Sequence, residues 1–221
     1  MKDFKYALFD MDGVLYDSMP NHAIAYHQSL LQFGIDMSAE DVYLYEGKKG
    51  VETMRLVGEK QLHRPISEEE AEEMYEAKCK VFRSIQRAEK IPGVEHLMRR
   101  MYDDGWQICI VTGSGQLSLL DKLTTDFAPM ITHDRIVCSK DYAHGKPAPD
   151  PYLMGLKRLN ADPAKTVVVE NAPLGVKAGR AAGLFTLAVN TGPLANSYFE
   201  EADASKIFKT MAEAEAWLFD E

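Results

Sequence analysis

Four short stretches run almost continuously apolar: 6–9, 107–111, 166–169 and 185–189. Their residues do not alternate between apolar and polar, so both faces of the strands they predict are turned away from water. That is the pattern of a parallel sheet covered by helices on both sides. Helices are predicted near Gly93, near Gln116 in "QLSLLDKLTTDF", at Pro151 and near Pro173. Asp150 before Pro151 offers a capping acceptor and then a proline at the first helical position, where its missing N–H costs nothing. Strand and helix in turn imply right-handed crossovers and an α/β fold with a doubly wound, Rossmann-like parallel sheet.

From Met19 to about Ala88 the alternation stops and every segment reads as helix. "PNHAIAYHQSLLQFG" has helical apolar spacing and is expected to stop at Gly34. Ser38 with Asp41, and Ser67 with Glu70, have the spacing of N-terminal capping boxes. "AEKIPG" is the expected return linker, and residues 14–19 form the outgoing one. The expected organisation is a core of residues 1–17 and 90–221 with a four-helix cap, 18–89, inserted after the first strand. Two crossings let such a cap hinge.

Composition narrows the partners more than the fold. The 221 residues suffice for one large domain or two small ones. A net charge of −9 argues against nonspecific nucleic-acid binding and against docking on anionic lipid. It leaves room for a small anionic substrate, because local fields can oppose the global one. No apolar run approaches the ~20 residues of a membrane span, and "MKDFKYALFDMDG" has no signal-peptide pattern. Cys79, Cys109 and Cys138 form no Cys-x-x-Cys pair, so zinc and dithiol motifs are absent. Free thiols suit a reducing cytoplasm. The expectation is a cytoplasmic monomer without nucleic-acid or membrane partners.

The chemistry is concentrated where the strands end. "YALFDMDGVLYDS" puts Asp10, Asp12 and Asp17 directly behind an apolar run. Ligands of open parallel sheets bind beyond the carboxyl ends of the strands. Three such ends would gather Asp10, Asp12, Thr112, Glu170 and Asn171, with Lys146 joining from "HGKPAPDPY". Converging carboxylates repel unless a cation lies among them, and oxygen donors with room for water and phosphate suit Mg2+. One acid could attack an electrophile while the other handles the proton. A phosphoryl group fits best, held by the Thr112 hydroxyl, the Gly113 and Ser114 amides and Lys146. Blander readings stand beside this one. Asp10 and Asp12 could form a solvated turn or a helix cap. "VTGSGQ" has a dinucleotide-loop look but lacks the third glycine and the following acid. Asn171 could cap a helix while its side-chain oxygen faces a metal. His22 and His27 are poorly spaced for one helix face, and "MYEAKCKVF" and "MAEAEAWLF" read as core-facing stripes.

Together "DMDGV", "VTGS", "GKP" and "VVVEN" resemble the four motifs of the haloacid dehalogenase superfamily, in order and across almost the whole chain. The helical insertion is similar to the cap of its β-phosphoglucomutase-like subgroup. The resemblance implies Asp10 as nucleophile, Asp12 as general acid/base, and Thr112 and Lys146 as phosphate anchors. It also implies Mg2+ on Asp10, the Asp12 carbonyl and the fourth motif. There Asn171 stands where a second acid is usual, so Asn171 is expected to ligate through its neutral oxygen and Glu170 through water. His22 matches the cap histidine of the sugar-phosphate mutases, but Gly50 stands where they carry a phosphate-gripping arginine. "ENAPLGV", "VTGSGQLSLL" and "NTGPL" look like a Bacteroides-type branch that hydrolyses inorganic pyrophosphate, with Glu46 matching a cap glutamate and Lys48 or Lys49 near the leaving phosphate. The expectation is therefore a Mg2+-dependent phosphohydrolase favouring pyrophosphate. The alternative is a sugar-phosphate mutase or sugar phosphatase.

Overall fold

In a computed structural model, which describes residues 3–115 and 117–220, the apolar runs form the middle of one parallel sheet. They are β1 (Tyr6–Phe9), β2 (Gln107–Val111), β4 (Thr166–Glu170) and β5 (Phe185–Val189). Two short strands lie at the edges: β3 (Ile136–Val137) and β6 (Lys206–Phe208). The order is β3-β2-β1-β4-β5-β6, and every pairing is parallel. The edge strands fall below the length at which an apolar run can be recognised, which is why only four were expected.

Successive strand residues point to opposite faces, and here each face meets a different core. Ala7, Phe9, Ile108, Ile110, Val167 and Val169 enter one apolar cluster. Leu8, Cys109, Val111 and Val168 enter the other. Helices α5 (Val94–Asp103) and α10 (Met211–Phe219) cover the first face. Helices α7 (Asp150–Leu159) and α8 (Pro173–Ala181) cover the second. Ala7, Leu8 and Phe9 are all fully buried. Burying a large apolar side chain stabilises by roughly 1.5–3 kcal/mol, so β1 is anchored from both sides.

Helices α1 (Met19–Leu30), α2 (Ala39–Tyr45), α3 (Gly50–Leu62) and α4 (Glu68–Ser84) lie between β1 and α5. They share an apolar cluster of their own, including Leu30, Ile35, Met54 and Met74. A single 3-10 turn, Leu31–Phe33, separates α1 from Gly34, whose φ of 74° closes the segment. Ser67 and Glu70 form a complete capping box, each side chain holding the other's backbone N–H. Ser38 supplies only half of one: its hydroxyl accepts the Asp41 N–H. Asp150 departs from expectation too. It lies inside α7, and its carboxylate turns back to the amide and imidazole of His144 instead of capping. Helices α6 (Leu117–Asp126) and α9 (Ser197–Glu201) complete the core. Among the described residues no helix is long and apolar enough to cross a membrane.

Candidate active site

Strand register decides which side chains meet. Phe9 pairs with Ile110 on one side and Val169 on the other. One residue further on, Asp10 leaves the sheet beside Glu170, with Thr112 just beyond β2. From the loop before α7, Lys146 reaches in at 1% exposure. Its ammonium donates to Asp10 Oδ1 and, at 2.6 Å, to Glu170 Oε1. Burial pushes the Asp10 carboxyl up to about 8; Lys146 opposes this, while Glu170 and Asp12 add to it. Burial works against the Lys146 charge, but Asp10 and Glu170 outweigh it and hold the ammonium well above the usual lysine range. Glu170 is fully buried. Its Oε1 also accepts the Tyr152 hydroxyl at 2.6 Å, and its Oε2 accepts the Asn171 and Ala172 N–H groups at 2.9 and 3.1 Å.

Thr112 is buried at the head of the next turn. Its hydroxyl oxygen accepts the Ser114 N–H at 3.0 Å, and its carbonyl accepts the Tyr142 hydroxyl at 3.1 Å. The turn is folded around that hydroxyl, whose proton remains available to an anion. Gly113 and Ser114 line the adjoining cavity.

Asp12 faces the helical insertion. Its Oδ1 accepts Ser18 Oγ at 2.5 Å and lies 3.2 Å from His22 Nε2. Lys78 Nζ stands 2.8 Å from His22 Nδ1. An ammonium can only donate, so Nδ1 is the acceptor and Nε2 carries the proton that His22 offers Asp12. Burial lowers the His22 imidazole below its ordinary range, and Lys78 lowers it further. Burial would raise Asp12, but His22, Ser18 and Lys78 outweigh it and hold the carboxyl low. Lys78 is 4% exposed and lies over the Tyr26 and Phe82 rings.

Lys78 lies in "MYEAKCKVF", whose apolar spacing predicts only a core-facing stripe. The stripe does bury Met74, yet it also turns Tyr75, Lys78 and Phe82 onto the cavity. The available signal was a lysine in helical register with Ala71 and Met74, on the apolar side of α4.

The cavity between cap and core measures about 400 Å³. Asp12, His22, Glu46, Lys48, Gly113 and Ser114 line it, together with Asn21, Arg83, Gln86 and Arg87. Burial, reinforced by Asp12 and Asp10, pushes the Glu46 carboxyl well above the usual carboxylate range. Lys48 pairs with Glu52 at 2.9 Å, whereas Lys49 crosses to the core and donates to the Tyr142 carbonyl at 3.0 Å. Asp17 is exposed. The α2–α3 loop runs directly over Lys146: Gly47 has φ 95°, and a Cβ there would stand 2.8 Å from Lys146 Cδ. Any side chain at Gly50 would collide with the Tyr75 ring.

Asn171 does not cap α8; that position falls to Ala172. Its side chain is 3% exposed, and neither its oxygen nor its nitrogen has a hydrogen-bond partner. An orphaned buried amide beside Asp10 and Glu170 fits a cation better than it fits an empty interior. Among the described residues no three His, Cys, Asp or Glu side chains gather as a metal group. The donors that fit are therefore mixed: the Asp10 carboxylate, the Asp12 carbonyl and the Asn171 amide oxygen. Hard oxygen donors with few charges suit magnesium.

A family profile described as "Haloacid dehalogenase-like hydrolase" matches residues 7–189, from β1 through β5. The chain belongs to the haloacid dehalogenase-like hydrolases. Within reach of this family, hexitol phosphatase A of Escherichia coli strain K12 is 31% identical over 189 residues, 83% of this chain and 82% of that protein. A phosphorylated carbohydrates phosphatase of Thermotoga maritima is 28% identical over 178 residues, 80% of this chain and 81% of that protein. A solved structure from Bacteroides vulgatus, provisionally named beta-phosphoglucomutase, aligns with a TM-score of 0.92 at 40% identity, over 98% of this chain and 88% of that one. None of these three carries a pyrophosphatase name. The haloacid dehalogenase-like likeness is thus broad, and the narrower pyrophosphatase likeness has no counterpart in them.

Proposed function

We propose that this protein is a magnesium-dependent phosphohydrolase acting on small phosphorylated sugars or polyols through an aspartyl-phosphate on Asp10. The carrying observation is the division of labour between two neighbouring acids. Asp10 is paired with the buried Lys146, while Asp12 is held by His22 and Ser18 at the cavity wall. Asp10 attacks phosphorus as the carboxylate, the form that Lys146 favours and that a bound cation would favour further. The bond to the leaving oxygen breaks, its electron pair stays with that oxygen, and the proton that the monoanionic ester brings reaches it through Asp12, which is a carboxylate in the free site. Water then attacks the same phosphorus and yields a proton to Asp12; the bond to Asp10 breaks and phosphate departs. Thr112 and Lys146 hold the phosphoryl oxygens throughout. Asp10, the Asp12 carbonyl and Asn171 would hold Mg2+, which when bound would offset phosphoryl charge. Glu170, with both oxygens engaged by protein donors, serves Lys146. Residues 18–89 act as the cap that excludes bulk water. The free buried cysteines suit a reducing compartment such as the cytoplasm, and every residue invoked comes from one chain, so a monomer suffices.

Substrate size favours an organic phosphate over the pyrophosphate anticipated from sequence. The cavity's ~400 Å³ is typical of sites for whole small molecules, and a bare pyrophosphate would leave much of it empty. Asn21, Gln86 and the two arginines offer hydrogen bonds to a polyol tail, and the names of the Escherichia and Thermotoga relatives lean the same way. Transfer to a second sugar position is disfavoured, because Tyr75 fills the space that an arginine at Gly50 would need. Pyrophosphate survives as a second reading on one observation: Glu46 lines the same cavity as Asp12 and Lys48, where its carboxylate could meet magnesium carried by pyrophosphate. The test is phosphate release from hexitol and hexose phosphates, β-glucose 1-phosphate and pyrophosphate, with and without magnesium. Hexitol or hexose phosphates should lead. No magnesium-dependent release from any of them would sink the proposal.

A further inference from the structure

Tyr152 heads the fully buried side chains by volume, and packing alone would be met by phenylalanine. Its hydroxyl donates to Glu170 Oε1 at 2.6 Å, the same atom that Lys146 holds at 2.6 Å. The opposite oxygen of Glu170 is fixed by two backbone N–H groups. Four donors therefore saturate one buried carboxylate. Lys146 is shared between that carboxylate and Asp10. A lysine between two acids moves toward whichever is the less satisfied acceptor. By occupying Oε1, the phenol weakens Glu170 as a competitor for the ammonium. It also prevents the carboxylate from swinging on its two amide anchors. The ring face lies 5.1 Å from Lys146 Nζ, and phenylalanine would keep that contact. The hydroxyl alone can thus be tested.

We propose that Tyr152 is a positioning residue for the phosphoryl-transfer step: through Glu170 it keeps the Lys146 ammonium directed at Asp10 and at the phosphoryl group Asp10 receives. This rests on the phosphohydrolase reading above. Charge-assisted hydrogen bonds such as this one are about twice as strong as neutral ones.

The experiment compares wild type, Tyr152→Phe, Glu170→Gln and the double variant. Hydrolysis of p-nitrophenyl phosphate with magnesium gives kcat and KM separately. Thermal melting reports stability. NMR of 15N-lysine-labelled protein follows the Lys146 ammonium, assigned by its absence from Lys146→Met. Tyr152→Phe should lower kcat about tenfold, the equivalent of roughly 1.4 kcal/mol, with KM within about twofold and the Lys146 signal shifted. In the Glu170→Gln background the same change should have little further effect. An unshifted Lys146 signal, a lowered melting temperature with kcat intact, or an equal loss in both backgrounds would overturn the role. If wild type hydrolyses no phosphate ester yet Tyr152→Phe still moves the Lys146 signal, the positioning stands and the phosphohydrolase reading falls.

Discussion

His22 on the cap stands 3.2 Å from Asp12 on the core. The acid proposed above as the proton donor thus takes its hydrogen-bond partner from the helical insertion. Lys78 fixes which imidazole nitrogen carries hydrogen. His22→Ala is expected to lower kcat roughly 10- to 100-fold, the range for losing a hydrogen bond to a charged group. Lys78→Met should cost less, because the imidazole remains but its tautomer is no longer imposed. Steady-state kinetics of the two variants on one hexitol phosphate checks the order; a larger loss from Lys78→Met would contradict it.

Asp10→Asn should abolish turnover while the fold survives. The amide is nearly isosteric and still accepts from Lys146, but it cannot attack phosphorus. Circular dichroism and a phosphate-release assay suffice. Ordinary turnover by the variant would remove the aspartyl-phosphate from the mechanism.

Glu46 separates the two substrate readings. Truncation to alanine removes a carboxyl that burial and two acids already disfavour as an anion. Hexitol phosphate turnover should hold or improve by a few-fold, and any pyrophosphate turnover should fall. The ratio of kcat/KM values for the two substrates is the measurement. A ratio that moves toward pyrophosphate would show that Glu46 discriminates against it.

Gly50 is a packing constraint. Gly50→Arg should destabilise the protein by about 1–3 kcal/mol, the usual cost of overpacking, since the new Cβ overlaps the Tyr75 ring. Adding Tyr75→Ala should recover most of that loss. Urea unfolding of the single and double variants reads both effects, and full stability of Gly50→Arg alone would show that the ring yields easily.

Acid should loosen the start of α4 in a defined window. The Arg64 guanidinium, then the Ser67 N–H, lower Glu70 to about 2 from an ordinary 4.5. A depressed carboxylate contributes stability that is complete above its unfolded value and is lost as pH falls through the folded one. Wild type should therefore exceed Glu70→Gln in melting temperature at neutral pH, with the gap closing between about pH 4.5 and pH 2. A gap that persists at the acid end would assign the effect to the hydrogen bonds alone.

The sequence spoke most clearly where chemistry coincides with the end of a long buried strand. Asp10, Thr112 and Glu170 each follow a run that must be buried, and parallel register then forces them together. Lys146 was legible from its proline-fixed loop. β3 and β6 were not, because two and three residues carry no period. Nor was Lys78, whose contact with His22 spans 56 residues and two helices. Tyr152 was hidden in another way: its apolar ring satisfies the burial pattern, and only coordinates reveal what its hydroxyl does. Asp150 failed because a capping residue and a loop-bracing residue look alike in one dimension.

The central place of β1 orders events on warming. Its strand is bonded on both edges, and the Asp10 amide itself donates to the Val169 carbonyl at 3.0 Å. Amide hydrogens there should exchange only through global opening, whereas a bundle with its own small cluster should be able to open alone. Deuterium should therefore enter 19–84 well before it enters 6–10. On the proposed mechanism, a partly warmed population would then keep Asp10 in place beneath a loosened helical bundle, and would lose discrimination between substrates before it loses the capacity to be phosphorylated.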